Sequence, residues 1–464
     1  MKNDINKMTI HELATQFRKK QLSPVEVVEV LLQELHTNDK YNAFITVTDD
    51  LARQAAYDAE NRFLQGRPLS ILDGIPYAAK DIFFTKDVRT TMGSAIYKDF
   101  IPNYNASVIE TLHAAGAILI GKTNTHEFAS GGTSDVGYFA PIRNPRNLNK
   151  IPGGSSGGSG AALAGYLCPA ALGSDTSGSV RLPAAACGVV GMRPTHGLVS
   201  KYGVYPLSDT IDSVGPMTRT VKDNAYMLNV MAAYDKKDSW SIRASPVNYV
   251  EELDQGIKGM TVAIPYGLFQ DSCEPFVFQC FEQAVSALRD AGIQIKSIPN
   301  IDPTGEFTDA CRTIRICEAC VVHEPNMHKH KNLYSPEIYE QMLEGFKYSA
   351  ADYIKALRLQ TVFKGRFLKA LDDAEADAMM IPTMPIVPTD IGQREIVIQG
   401  HTHSVHNRLG LYTIIASFTG FPALSVPSGF NEENVPAGVQ ILPRPLQESI
   451  AYRIGFALEN TLQL

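Results

Sequence analysis

Along residues 8–65 the apolar positions recur at helical spacing. Thr9 to Glu12 reads as a Thr-x-x-Glu capping box, in which the hydroxyl and the carboxylate satisfy N–H groups that the first turn leaves unpaired. Ser23-Pro24 opens a second helix, whose Val27, Val28, Val30, Leu31, Leu32 and Leu35 form one apolar face, and residues 50–64 form a third. From residue 71 the texture changes. Short apolar runs bounded by Gly and Pro stand at 75–79, 117–120, 189–192, 262–264, 378–381 and 423–426, with helical segments such as 107–115 and 276–291 between them. Runs of this kind separated by helices predict an α/β fold with a central, mainly buried, mixed and twisted β-sheet covered by helices on both faces.

Residues 226–375 are richer in helix-forming and charged residues and read as an insertion that caps the sheet. No Pro, Gly or Ser cluster separates this segment from its flanks, and sheet runs return at 378 and 423. The expectation is one large domain over 1–464, with N-terminal helices at 1–65, a core at 66–225, the helical cap at 226–375 and a return to the sheet at 376–464. The chain shows no internal repeat and no low-complexity tract.

Composition narrows the function classes. With 44% hydrophobic and 20% charged residues the chain has the balance of a globular protein with ample core. A net charge of −7, with no basic run, argues against a nucleic-acid surface, which needs clustered Lys and Arg. Seven scattered cysteines and a start, MKNDINKM, without an apolar core segment suit a reducing cytoplasm. The longest nearly apolar stretch, 161–172, contains Pro169 and is too short to span a bilayer.

Two motif matches are decoys. Gly116 to Thr123 matches the phosphate-binding pattern G-x4-G-K-[ST], but a helix precedes Gly116 and the four intervening residues are themselves a buried-strand sequence, so the required strand, loop and helix order is missing. Cys317 and Cys320 with His323, His328 and His330, or His401, His403 and His406, have zinc-ligand chemistry. The first set falls on a helix, where small cysteines pack as hydrophobes. The second sits on a hairpin of 395–398 and 402–405 around Gln399-Gly400, its histidines facing water or a pocket. No metal site is expected.

The chain's centre of interest is Gly153-Gly-Ser-Ser-Gly-Gly-Ser-Gly160 with its downstream partner Gly173-Ser-Asp-Thr-Ser-Gly-Ser179. Eight small residues bury little apolar surface and admit close approach of the backbone. A flexible tether is excluded because 161–167 continues directly into a small-residue helix. Two readings remain: an anion cradle, which lacks a lysine in the loop, or a loop that presents hydroxyls and N–H groups to a reacting carbonyl. The second needs a base. His196 is the only histidine nearby. Lys80 ends the apolar run Gly74-Ile-Pro-Tyr-Ala-Ala79 and precedes Asp81, an unusual place for a charge unless it pairs with that or another carboxylate, or is desolvated into a base.

These segments resemble the amidase signature family over nearly the whole chain. The resemblance rests on 153–162, on Ala171 to Ala184 and Gly188 to Thr195, and on Gly74 to Asp81, Gly121 to Phe128 and Phe421 to Pro427. It implies a metal-independent, cofactor-free amidohydrolase acting on linear amides through an acyl-enzyme. Ser179 would be the nucleophile, Ser155 a bridging serine in a cis peptide and Lys80 the base. The resemblance further implies an oxyanion hole from the N–H groups of Thr176, Ser177, Gly178 and Ser179, with Gly131 and Ser130 also at the substrate. Asp175 and Arg181 are expected to hold the two loops by hydrogen bonds and ion pairs. The partner is then a small-molecule amide, with neither nucleic acid nor membrane; a homodimer stays open.

The chain departs from the family pattern in two respects. Ser177 stands where Gly is usual, so its side chain narrows or polarises the pocket. The glutaminase of the tRNA-dependent amidotransferase grips glutamine with an Arg and an Asp; alignment puts Gln360 and Gly410 at those positions. A stand-alone amidase on a small amide is therefore expected, and the glutaminase component of such an amidotransferase is the alternative. The pocket is expected to draw on residues 126–140, the middle insertion and the loop before Gly420, which do not name the substrate.

Overall fold

The computed structural model describes residues 2–463 apart from Gln399, so that residue of the expected hairpin turn lies outside the described residues. The N-terminal helices form as their caps predict. Helix Ile10–Arg18 starts at Thr9, whose N–H donates to the Glu12 carboxylate at 2.8 Å. Helix Pro24–Asn38 starts at Ser23 with the same reciprocal cap on Glu26 and buries Val27, Val28, Leu31, Leu32 and Leu35. Helix Asp49–Leu64 follows.

Thirteen strands are described: β1 (Phe44–Val47), β2 (Pro76–Lys80), β3 (Ile118–Thr123), β4 (Ala170–Asp175), β5 (Val190–Arg193), β6 (Ser213–Thr218), β7 (Thr261–Ile264), β8 (Gln294–Ser297), β9 (Ala378–Pro382), β10 (Glu395–Ile398), β11 (His401–Ser404), β12 (Ala423–Phe430) and β13 (Pro436–Pro443). Eleven of them build one mixed sheet in the order β1-β3-β2-β4-β6-β5-β12-β13-β9-β7-β8, and β10 and β11 form a separate hairpin. Each apolar run read from the sequence is a strand. Five further strands escape that reading, each for a physical reason. β1 and β8 are four-residue elements at the two edges, only partly buried. β4 is mostly Ala, Gly and Ser, and β6 and β13 are broken by Gly and Pro; neighbours on both sides hold all three in the sheet.

The middle segment departs from the expectation of a helical cap. It supplies β7 and β8, which pair in parallel with each other, and β7 also with β9, so that they extend the sheet to its far edge. Long helices such as Glu306–His330 and Ala350–Asp373 make up much of the rest. The phosphate-loop decoy resolves as its context predicts: helix Ser107–Ala114 precedes Gly116, and Gly121-Lys122-Thr123 ends strand β3.

What matters for function is the register of the central strands. β2 runs parallel to β4 with Tyr77, Ala78 and Ala79 opposite Ala170, Ala171 and Leu172. Lys80 at the end of β2 therefore reaches the edge of the sheet where β4 runs out through Ser174 and Asp175 into the 176–180 turn. The carboxyl ends of parallel strands are where open α/β sheets form ligand crevices. Helix Gly157–Ala164, buried along its whole length, packs on β4 and brings residues 153–156 to that same end.

Candidate active site

Lys80 is fully buried, and no carboxylate pairs with it among the described residues. Asp81, its neighbour in sequence, turns instead to Lys122, whose Nζ lies 3.2 Å from Asp81 Oδ1. The lysine of the decoy motif thus neutralises the carboxylate nearest to Lys80 in the chain. Lys80 Nζ contacts two hydroxyls, Ser155 Oγ at 2.6 Å and Ser174 Oγ at 2.8 Å. Burial lowers its pKa from 10.5 to about 7, against the opposing pull of Asp212 and then Asp175. Sequence reasoning misses Ser174; its only signal is its place in the second small-residue segment.

The peptide between Gly154 and Ser155 is cis. The Ser155 carbonyl accepts from Thr125 Oγ1 at 2.9 Å and from the His126 N–H at 3.2 Å, which fixes the loop on one side. On the other side the Ser156 N–H donates to the Ser179 carbonyl at 3.2 Å and draws the two small-residue loops together.

The 176–180 turn is organised from below by Asp175. Its carboxylate accepts from the Gly178 N–H at 2.9 Å and the Val180 N–H at 3.2 Å, and ion-pairs with Arg181 at 2.9 Å and Arg193 at 3.1 Å. These guanidinium groups hold the carboxyl well below the ordinary range despite full burial. Arg181 is the loop tether that the sequence suggests; Arg193, at the end of β5, is a second one that it does not. Thr413 Oγ1 donates to the Ser177 carbonyl at 2.6 Å, and Thr176 Oγ1 donates to Asp212 at 2.6 Å.

These bonds sort the N–H groups of the turn. The expectation that Gly178 is a free donor is corrected, because its N–H is committed to Asp175. The N–H groups of Thr176, Ser177 and Ser179 have no acceptor among the described residues. Gly178 serves conformation: its φ of 117° lies in the left-handed range, and a Cβ there would overlap Thr413.

A cavity of about 460 Å³ opens on this turn, within the range of small-molecule sites. Thr176, Ser177 and Ser179 line it, as do Ala129, Gly131 and Gly132. The middle segment contributes Thr308, Asp309, Cys311, Arg312 and Arg315, and residues 402–414 close it, so all three regions expected at the pocket are present. Gly131 is at the wall because any side chain there would overlap the His126 ring. Ser130 is not in the wall; its hydroxyl donates to Gln341 Oε1 at 2.5 Å.

The zinc candidates have other roles. His323 is buried, 3.0 Å from Tyr334 Oη, and the seven cysteines are unbridged. His403 and His406 line the cavity. No group of three or more His, Cys, Asp or Glu residues with metal-binding geometry occurs among the described residues, and none of their helices is long and apolar enough to cross a membrane.

A desolvated lysine in contact with a hydroxyl can exchange a proton with it, and free N–H donors beside a second serine at a cavity wall can hold a developing negative charge. Several known proteins are similar to this chain over nearly its whole length. The Amidase family model matches residues 26–450. The A subunit of a glutamyl-tRNA(Gln) amidotransferase from Geobacter sp. (strain M21) is 34% identical, over 99% of this chain and 98% of its own length. The solved structure of a chain from a vestigial protein complex, described as revealing the origins of an s-triazine catabolic enzyme, is 32% identical, with a TM-score of 0.93 and 98% of each chain covered. The peptide amidase of Stenotrophomonas maltophilia is 25% identical, with a TM-score of 0.86, covering 98% of this chain and 97% of its own.

Proposed function

Because the chain belongs to the amidase family, we propose that it hydrolyses the carbon–nitrogen bond of a small linear amide through an acyl-enzyme, using Ser179, Ser155 and Lys80. Neutral Lys80 takes a proton from Ser155, which takes one from Ser179 as Ser179 Oγ attacks the amide carbonyl. The oxyanion of the tetrahedral intermediate is held by the N–H groups of Thr176, Ser177 and Ser179; Gly178 shapes the turn without donating. The proton returns through Ser155 to the leaving amine, and water then attacks the acyl-Ser179 ester by the same relay to release the acid. The route needs no metal or cofactor. Seven unbridged cysteines support a reducing, cytoplasmic setting.

The observation that carries this reading is Lys80 itself: a fully buried lysine, with no carboxylate partner among the described residues, whose Nζ stands 2.6 Å from Ser155 Oγ. A purely structural lysine in that position would be paired. The test is turnover of a panel of aliphatic, aromatic, peptidic and ureido amides together with glutamine. Ser179→Ala and Lys80→Ala are each expected to lower kcat on the order of a thousandfold or more, because such groups act as a unit. A loss below about tenfold for Ser179→Ala removes it as the nucleophile.

A second reading, the glutaminase component of a tRNA-dependent amidotransferase, is favoured by the names of its sequence relatives. Gln360 and Gly410 at the positions aligned to the glutamine-gripping Arg and Asp weigh against it. A chain that hydrolyses only glutamine, and only with other subunits present, would reverse the preference.

A further inference from the structure

The cavity that opens on Ser179 is lined by three guanidinium groups, Arg312, Arg315 and Arg408, and by a single carboxylate, Asp309. The two fully buried arginines, Arg181 and Arg193, meet on Asp175, whereas of the cavity arginines Arg315 and Arg408 are half-buried and Arg312 is exposed. Among the described residues none of the three cavity arginines pairs with a carboxylate, and the side chains of Arg312 and Arg315 make no hydrogen bond. Arg408 reaches only His403 Nε2, at 3.2 Å.

Such a cluster has a cost. Arg312 and Arg315 are three residues apart on helix Glu306–His330, a spacing at which side chains are neighbours and like charges repel. Burial lowers the pKa of Arg315, the expected response of a guanidinium short of compensating charge. The histidines do not supply that charge. Burial, and then Arg315, push His406 down to about 3, so it is a neutral hydrogen-bonding group at pH 7. A shallower depression beside the cavity brings Glu337, Glu340 and Glu344 toward the outer side of Arg312 and Arg315. Glu337 already pairs with Arg394 and Glu344 with Lys347, and none of the three comes within ion-pair distance of the cavity arginines. The uncompensated positive charge faces the space a substrate would fill.

Resting on the amidase reading above, we propose that the natural substrate is an anionic amide, a carboxylate-bearing monoamide, whose negative group is held by Arg315 with Arg312 and Arg408 while its amide lies at Ser179. A guanidinium fork matches a carboxylate in two parallel hydrogen bonds. The cluster is separate from the positions aligned to the glutamine grip: Gln360 lies outside the cavity wall, and Gly410 in it carries no charge. With one acid against three cations, the cavity disfavours a substrate that also carries an ammonium group. The expected class is therefore the half-amides of dicarboxylic acids rather than amino-acid amides.

The test compares malonamate, succinamate, glutaramate and adipamate with the neutral amides of the same chain lengths, reading kcat/KM for each pair. For at least one length the wild-type ratio of anionic to neutral is expected to exceed about tenfold, as a charge-assisted contact provides. Arg315→Gln is expected to cut that ratio by roughly tenfold to a hundredfold, chiefly through KM, and Arg315→Lys to keep part of it. If Arg315→Gln does not fold, Arg408→Gln serves in its place. Ratios at or below one for every length, or ratios unchanged in both variants, would overturn the proposal. A phosphonate counterpart preferred over the carboxylate would overturn the carboxylate assignment. Calorimetric binding of the same half-amides to Ser179→Ala keeps this separate from the chemistry. Binding that Arg315→Gln abolishes would support the anion site even if no amide were turned over, and absence of binding at every length would sink it.

Discussion

The pH dependence of kcat/KM reads Lys80 directly, since that ratio reports the essential base of the free enzyme. A lysine at its ordinary pKa of about 10.5 is neutral at pH 7 in roughly three molecules per ten thousand; one lowered to about 7 is neutral in about half, a gain on the order of a thousandfold in competent base. The expected profile rises tenfold per pH unit below about pH 6, passes its midpoint near pH 7 and levels above about pH 8. Asp212, then Asp175, oppose the effect of burial, so Asp212→Asn should move the midpoint to lower pH. Three nearby histidines stay out of this window: His126 is lowered to about 4 and His196 and His406 to about 3, burial being the main cause in each. Glu459, which burial raises to about 7, caps the Val221 N–H away from the cavity, so Glu459→Gln is a control that should leave the midpoint in place. A profile flat from pH 6 to 9, or one still climbing tenfold per unit at pH 9, would refute a desolvated Lys80 base.

Three further outcomes follow from the same structure. Asp175→Asn removes the charge on which Arg181 and Arg193 converge, and is expected to cost about 3–5 kcal/mol of stability in denaturant titration, with the turn at Gly178 and Val180 loosened as well. Gly178→Ala, which puts a Cβ into Thr413 at φ 117°, should depress kcat far more than KM, because it displaces donors needed in the transition state. Burial raises Asp223 to about 6 and Glu459 to about 7, above their ordinary carboxylate values. Stability from these two groups is fully present below their unfolded pKa values of about 4, declines as pH rises from there and is lost once pH has passed through about 6 to 7, so Tm should fall between about pH 4 and 7, and fall less in Glu459→Gln.

The helices and most of the sheet are legible in the sequence because their signals are local. A capping box, a Pro at a first turn and a stripe of Val and Leu at helical spacing act within a few residues, and the runs at 75–79 and 378–381 are apolar enough to read as buried strands. β4 and β13 are illegible for the opposite reason. Ala-Ala-Leu-Gly-Ser-Asp has little strand preference of its own, and the prolines at both ends of β13 argue against a central strand despite its Val and Ile; the neighbouring strands hold both in the sheet. At the site, Lys80, Ser155 and Ser179 stand out through the unusual placing of a charge and two small-residue loops, strengthened by resemblance to a family. Ser174 and Arg193 do not, since a serine in a glycine-rich stretch and an arginine after an apolar run are ordinary in a sequence.

The sequence alone pointed to a buried Lys80, because apolar runs stand at 75–79 before it and at 82–84 just beyond Asp81, and to close backbone approach of the 153–160 and 173–179 segments, because they have almost no side chains. Only the tertiary structure decided what these groups meet. The pairing of β2 with β3 sets Ala79 opposite Lys122 and Lys80 opposite Thr123, and Asp81, just beyond, is taken by Lys122. That leaves Lys80 with two hydroxyls and a lowered pKa. Likewise Arg312 and Arg315 lie more than 90 residues before Arg408, and nothing local records that they share one cavity. Burial follows from composition near a residue, but the choice of partner follows from register and from the folding together of distant segments.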